Sequence, residues 1–134
     1  MSLNEEERRI LVTLELEKVD KTLNQLQVQL DSELWDLAAN RLYYALFHAV
    51  SALLISDSHE VGTHRGAVVQ FNLHYVKEGI FTKEEGRLYS RLQRLREDGD
   101  YNCAIDVEKE EVEEELEPAR QLINKIKQYI SAKQ

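Results

Sequence analysis

The sequence predicts an all-α protein, an antiparallel bundle of four to five helices, on three observations. Apolar residues recur at spacings of three and four along successive stretches of the chain, the repeat of one helix face. No stretch alternates apolar and polar residues with the period of a strand. Neither an internal repeat nor a linker divides the sequence, so its 134 residues read as one domain, 1–134, burying roughly two-thirds of its unfolded surface. With 43% hydrophobic and 31% charged residues, five Gly and one Pro, the composition excludes collagen-like, disulfide-stapled and disordered classes.

The first helix is predicted over about 4–30. Leu16, Val19, Leu23, Leu26 and Leu30 form its packing stripe, and Ser2 with Glu5 has the spacing of a capping box. Asp31 and Ser32 can each accept from the free amides of a following turn, so they mark the entry to a second helix that runs to about Ser56. That helix is apolar on several sides and must be covered on several sides. Its exceptions, Arg41, Tyr44, His48 and Ser51, form a polar stripe. Residues 57–63 read as a loop, with Thr63 capping a third helix that carries Val68, Phe71 and Tyr75 and stops at Gly79. Thr82 and Glu85 form a capping box for a fourth helix, carrying Leu88, Leu92 and Leu95 and ending near Asp98-Gly99. A fifth begins near Asp106 and packs through Val112, Leu116, Ala119, Ile123, Ile126 and Ile130, with a kink or weakened turn expected at Pro118.

Seventeen basic against 25 acidic residues give a net charge of −8, which argues against a global attraction for nucleic acid or anionic membrane. A local basic face stays open. The single Cys103 allows no internal disulfide. No signal-peptide pattern and no apolar run of about 18 residues point to secretion or a membrane, so the cytoplasm is the simplest expectation. His48, His59, His64 and His74 lack the zinc-protease spacing, and no phosphate-cradling glycine loop or nucleophile elbow is present. No metal and no cofactor are expected. Glu97-Asp98-Gly99-Asp100 lacks the spacing of a calcium loop and reads as a helix-ending turn.

Two polar constellations remain. Arg87, Arg91 and Arg94 line one side of the fourth helix, with Arg96 on a neighbouring face. They are either a solvated face pairing with Glu84, Glu85 or the Glu-rich 108–117 stretch, or a site for phosphate oxygens, which guanidinium forks match. The stripe Arg41, Tyr44 and His48 lies on the most apolar helix, where an unpaired guanidinium is costly. It is either a structural network, with Asp100 as the partner of Arg41, or part of a cleft.

The segments Ala39-Asn40-Arg41-Leu42-Tyr43-Tyr44-Ala45-Leu46-Phe47-His48, Thr63-His64-Arg65-Gly66 and Arg96-Glu97-Asp98-Gly99-Asp100-Tyr101 together resemble the HEPN domain family, in its small stand-alone prokaryotic members. The resemblance covers essentially the whole chain. It implies a helical bundle that pairs into homodimers across a shared polar cleft, and a role as a metal-independent endoribonuclease toxin beside a minimal nucleotidyltransferase antitoxin, or as an RNA- or nucleotide-binding module without catalysis. The nuclease motif of the family is an Arg followed after four to six residues by His. Here Tyr101 stands at that position after Arg96, and no His follows His74.

Ribonuclease chemistry needs a cation for the developing charge and a base for the 2′-hydroxyl. Arg96 can supply the first. An unperturbed Tyr, with a pKa of about 10, is a poor base near neutrality, so His64 or His48 is a candidate in place of Tyr101. The expected site is therefore Arg96, Tyr101 and His64 for any chemistry, with Arg41, Tyr44, His48, Asp100 and Arg94 binding an RNA or nucleotide ligand. The alternative is a protein-interaction module that docks a nucleotidyltransferase or another partner.

Overall fold

The computed structural model describes residues 3–101 and 106–133; Ser2 and Cys103 lie outside them. Five α-helices follow one another: α1 (Glu5–Asp31), α2 (Trp35–Ser56), α3 (His64–Phe71), α4 (Lys83–Tyr101) and α5 (Lys109–Ala132). The last turn of α3 widens into a π-helical turn, Asn72–Val76. No strand occurs among the described residues, and none of their helices is long and apolar enough to cross a membrane.

The first helix begins where Asn4 accepts from the Glu7 amide at 2.8 Å and Glu7 accepts from the Asn4 amide at 3.0 Å. The capping box is thus Asn4 with Glu7, shifted from the expected Ser2 and Glu5. Asp31 and Ser32 do not open the second helix. Asp31 is the last residue of α1, and Ser32 closes that helix by donating its amide to Val28. Glu33 turns the chain at φ +56°. Amides of the corner satisfy the carbonyls at the end of α1, and α2 starts without any side-chain cap. So short a corner folds α2 back antiparallel along α1.

As the apolar residues on several of its sides require, α2 is the central element. It packs against α1, α3, α4 and α5, with Leu42, Tyr43, Leu46, Leu53 and Leu54 fully buried. Val19 and Leu26 of α1 and Val112, Ala119, Ile123, Ile126 and Ile130 of α5 close the core from the flanks as their spacing predicts. Thr63 caps α3 by accepting from the Gly66 amide at 2.9 Å. Thr82 and Glu85 form the expected box at the start of α4. Gly79 stops the segment between them at φ +79°, a conformation that suits glycine. The fifth helix begins at Lys109, three residues beyond Asp106, and is not broken at Pro118.

The fourth helix departs most from expectation. It does not end at Asp98-Gly99 but runs on to Tyr101. A Cβ on Gly99 would lie 3.2 Å from the Val107 side chain and 3.6 Å from the Asp36 backbone. The glycine therefore admits the start of α2 and the approach to α5 against α4. Because the helix continues, Asp100 and Tyr101 keep helical register with Arg96, which builds the site below.

One core contact gives a direct expectation. Tyr89 is fully buried and its hydroxyl has no partner among the described residues. Tyr89→Phe removes a desolvated polar group without loss of volume, so denaturant unfolding should find stability unchanged or raised by up to about 1 kcal/mol. A loss beyond about 1 kcal/mol would show that the hydroxyl is bonded.

Candidate functional site

The polar stripe of α2 and the last turn of α4 meet around Arg96. The Arg96 side chain is only 9% exposed. It sits 5.3 to 5.4 Å from the ring centres of Tyr43, Tyr44 and Tyr101, within cation–π range of all three. Nη2 donates to the Tyr44 and Tyr101 hydroxyls, each at 3.1 Å. Nε lies 3.3 Å from Asp100 Oδ2, close enough for an ion pair but misaligned for a hydrogen bond. Burial works against the charge, yet the Tyr44 and Tyr101 hydroxyls and the Asp100 carboxylate hold the Arg96 pKa above the usual guanidinium value.

Asp100 is not the direct partner of Arg41. Its Oδ2 accepts from Asn40 Nδ2 at 2.9 Å, and Asn40 Oδ1 accepts from Arg41 Nε and Nη2 at 3.0 and 2.6 Å. Arg41 Nη1 donates to Gln25 Oε1 at 2.8 Å, and the guanidinium lies 5.3 Å from the Tyr44 ring centre. Arg41 and Arg96 thus share one aromatic ring, and Asp100 touches Arg96 directly and Arg41 only through Asn40. The bonded partners of Arg41 are neutral amide oxygens, which orient a cation without cancelling its charge. Asn40, Gln25 and Tyr43 are functional candidates that the sequence reading assigned no role. The signal available for Asn40 was its position next to Arg41 on a helix facing Asp100.

His64, the first residue of α3, joins the cluster from the third side. Its Nδ1 lies 3.0 Å from the Tyr43 hydroxyl. Its ring centre is 4.4 Å from that of Phe47 and 5.5 Å from that of Tyr44. Burial, with the nearby charges of Arg96 and His48, pulls the His64 pKa below the ordinary histidine range. Burial pushes the Tyr43 hydroxyl the other way, up to about 12, against the pull of Arg96.

His48 stands at the edge of the cluster. Its Nδ1 is 2.8 Å from Glu15 Oε2 of α1, and its ring centre is 6.2 Å from that of Tyr44.

Arg94 is not brought to this cluster. It is exposed and lines a shallow depression with Arg91, Leu95, Asp98, Glu111, Glu114 and Glu115. Arg87 and Arg91 bond to Glu84 at 3.1 and 3.0 Å, and Arg91 also to Glu115 at 2.8 Å. This face of α4 behaves as the solvated ion-pair network that was one of its two expected readings, and such surface pairs contribute little to stability.

His59 stacks on His74 with ring centres 3.8 Å apart. Burial and the His74 charge pull its pKa down, against Asp57. For His59 and His64 alike, the folded protein binds a proton less readily than the unfolded chain. Their stabilisation is therefore complete above the unfolded histidine pKa of about 6.5 and is lost as pH falls through it. Thermal melts should show Tm dropping between pH 7.5 and 5.5, before carboxylates titrate. A flat or rising Tm over that window would contradict the burial of both rings.

The chain is also similar to known proteins. A family model described as HEPN domain matches residues 13–129. A protein of Thermotoga maritima named "UPF0332 protein" is 32% identical over 96% of this chain and 96% of its own length. Two proteins of Methanocaldococcus jannaschii are each 30% identical. One, named "Putative toxin MJ0142", matches over 88% of this chain and 80% of its own length. The other, named "Putative toxin MJ0605", matches over 93% and 92%.

Proposed function

We infer that this chain, which belongs to the HEPN domain family, binds the phosphate of an RNA or a nucleotide at the polar cluster where α2, α3 and α4 meet, and acts as the toxin half of a toxin–antitoxin pair. The observation that carries the reading is the charge of the cluster. Two guanidiniums flank one tyrosine ring, the Asp100 carboxylate pairs with Arg96 alone, and the bonded partners of Arg41 among the described residues are neutral. In a chain of net charge −8, such a local excess of oriented cation is suited to an oxyanion. Arg96 and Arg41 contact the phosphate in this reading, with Asp100 and Asn40 fixing their directions. Tyr101, 70% exposed and tied to Arg96 through its hydroxyl, supplies a face on which a base stacks.

The toxin role rests on the two relatives whose names read "Putative toxin". A homodimer, a cytoplasmic location and a minimal nucleotidyltransferase antitoxin as partner belong to the same proposal. The competing reading, a protein-interaction module, would use the exposed helix faces and leave the cluster as a structural network.

The test is incubation of a long single-stranded RNA with the purified protein in EDTA, run beside Arg96→Ala and read for both retardation and cleavage. Retardation that weakens steeply with salt and is lost in the variant supports the reading. Cutting by the wild type alone adds metal-independent ribonuclease activity. Neither retardation nor cutting would favour the interaction module.

A further inference from the structure

We propose that Tyr43 is a positioning residue that fixes His64 as the Nε2–H tautomer, so that His64 offers the cleft a hydrogen-bond donor for a phosphate oxygen and not a lone pair for proton abstraction. The inference deepens the proposed anion site and rests on that reading for its ligand. Its chemistry follows from proton accounting. Tyr43 is fully buried, a place where a hydroxyl proton without an acceptor is costly. The neighbouring groups are the rings of Tyr44, Phe47 and Tyr89, the guanidinium of Arg96 and, acting through its charge without a hydrogen bond to the phenol, the Glu97 carboxylate. Carbon rings accept poorly, and a guanidinium only donates. Among the described residues, His64 Nδ1 at 3.0 Å is the acceptor within reach.

The reverse arrangement, with Nδ1–H donating to the phenol oxygen, strands the phenol proton in a buried site. The doubly protonated ring does the same, and it also sets a third cation beside Arg96 while the ring is partly buried at the N-terminus of α3. The form that satisfies every group is a neutral imidazole accepting at Nδ1 from Tyr43. Its remaining proton is then on Nε2. That nitrogen has no partner among the described residues, and His64 itself is partly exposed. A nitrogen that carries its proton cannot take one from a 2′-hydroxyl. It can donate to an oxygen held by Arg96 and Arg41. His64 therefore recognises the ligand, and the ring does not replace the missing motif histidine as a base.

Long-range proton–nitrogen correlation spectra of the unliganded, histidine-labelled protein at pH 7.5 test this directly, with His64→Asn to assign the signal. The expected spectrum has His64 neutral, protonated on Nε2 and bare on Nδ1. Tyr43→Phe removes the lock, so the ring should shift toward a mixture of tautomers, and AMP should bind severalfold more weakly. A wild-type ring protonated on Nδ1 would overturn the proposal, even if Tyr43→Phe failed to fold. So would EDTA-resistant RNA cleavage abolished in His64→Asn. The predicted tautomer with no AMP binding in the wild type would overturn the ligand half and fault the anion-site reading, while the lock itself stood.

Discussion

Arg96→Ala is expected to weaken binding of AMP or single-stranded RNA by at least tenfold and to lower stability by about 1–3 kcal/mol. Both effects arise from one side chain. The guanidinium fills the space between three aromatic rings and donates to two hydroxyls. Its removal leaves a gap, two phenols without their donor, and Asp100 without its ion partner. The carboxylate then faces the incoming phosphate with less cation to offset it. Arg96→Lys restores the charge but not the fork, because an ammonium is a point charge on a flexible stem. It should recover part of the stability and less of the binding. Calorimetric titration and denaturant unfolding of the two variants separate these contributions. Unchanged affinity in Arg96→Ala would remove this residue from any ligand site.

Asp100→Asn should act in the opposite direction on binding. The side-chain shape is kept, and the amide oxygen can still accept from Asn40 Nδ2. What disappears is the negative charge beside Arg96. Repulsion between that carboxylate and a phosphate a few ångström away is about 1 kcal/mol in a hydrated cleft, so affinity should rise about fivefold. The gain should shrink as salt is added. Stability should fall by about 1–2 kcal/mol, because the amide keeps the Asn40 bond while Arg96, 9% exposed, loses its carboxylate partner and keeps its two hydroxyl partners. Had the carboxylate served only as a structural partner of buried charge, the variant would lose several kcal/mol and gain no affinity. Opposite signs in binding for two neighbours in one ion pair are hard to obtain from a purely structural network.

The bundle was legible because its information is local and periodic. The stripe of Val19 and Leu26, the all-round apolar character of α2 and the capping residues Thr63 and Thr82 each set an element without reference to the rest of the chain. Errors arose where a distant contact decides. Gly99 looks like a helix stop in sequence, but in the fold it is a close-packing position against Val107 and Asp36. Only that packing explains why Asp100 and Tyr101 remain helical. Asp31 and Ser32 have side chains suited to accept from the first amides of a helix, yet Asp31 is taken up as the last residue of α1 and the Ser32, Glu33 and Leu34 amides close that helix's carbonyls before α2 begins.

The site was legible in part for the same reason. Arg96, Tyr101, Asp100, Arg41, Tyr44 and His64 do converge. Their pairing was not readable, since Asn40 stands between Arg41 and Asp100 and no spacing rule encodes a three-residue relay between helices. Arg94 shares a helix with Arg96 and not its face. Two residues, about half a helical turn, separate them, and only the neighbours of each face tell which joins the cluster and which is solvated.

The most direct test of the anion site is a nuclear magnetic resonance titration of the wild-type protein with AMP at low salt, following side-chain signals of the arginines, tyrosines and histidines. The account predicts the largest shifts at Arg41, Tyr44, His64, Arg96 and Tyr101, saturating together with a single affinity. Shifts centred on Arg87, Arg91 and Arg94, or none at saturating nucleotide, would contradict it.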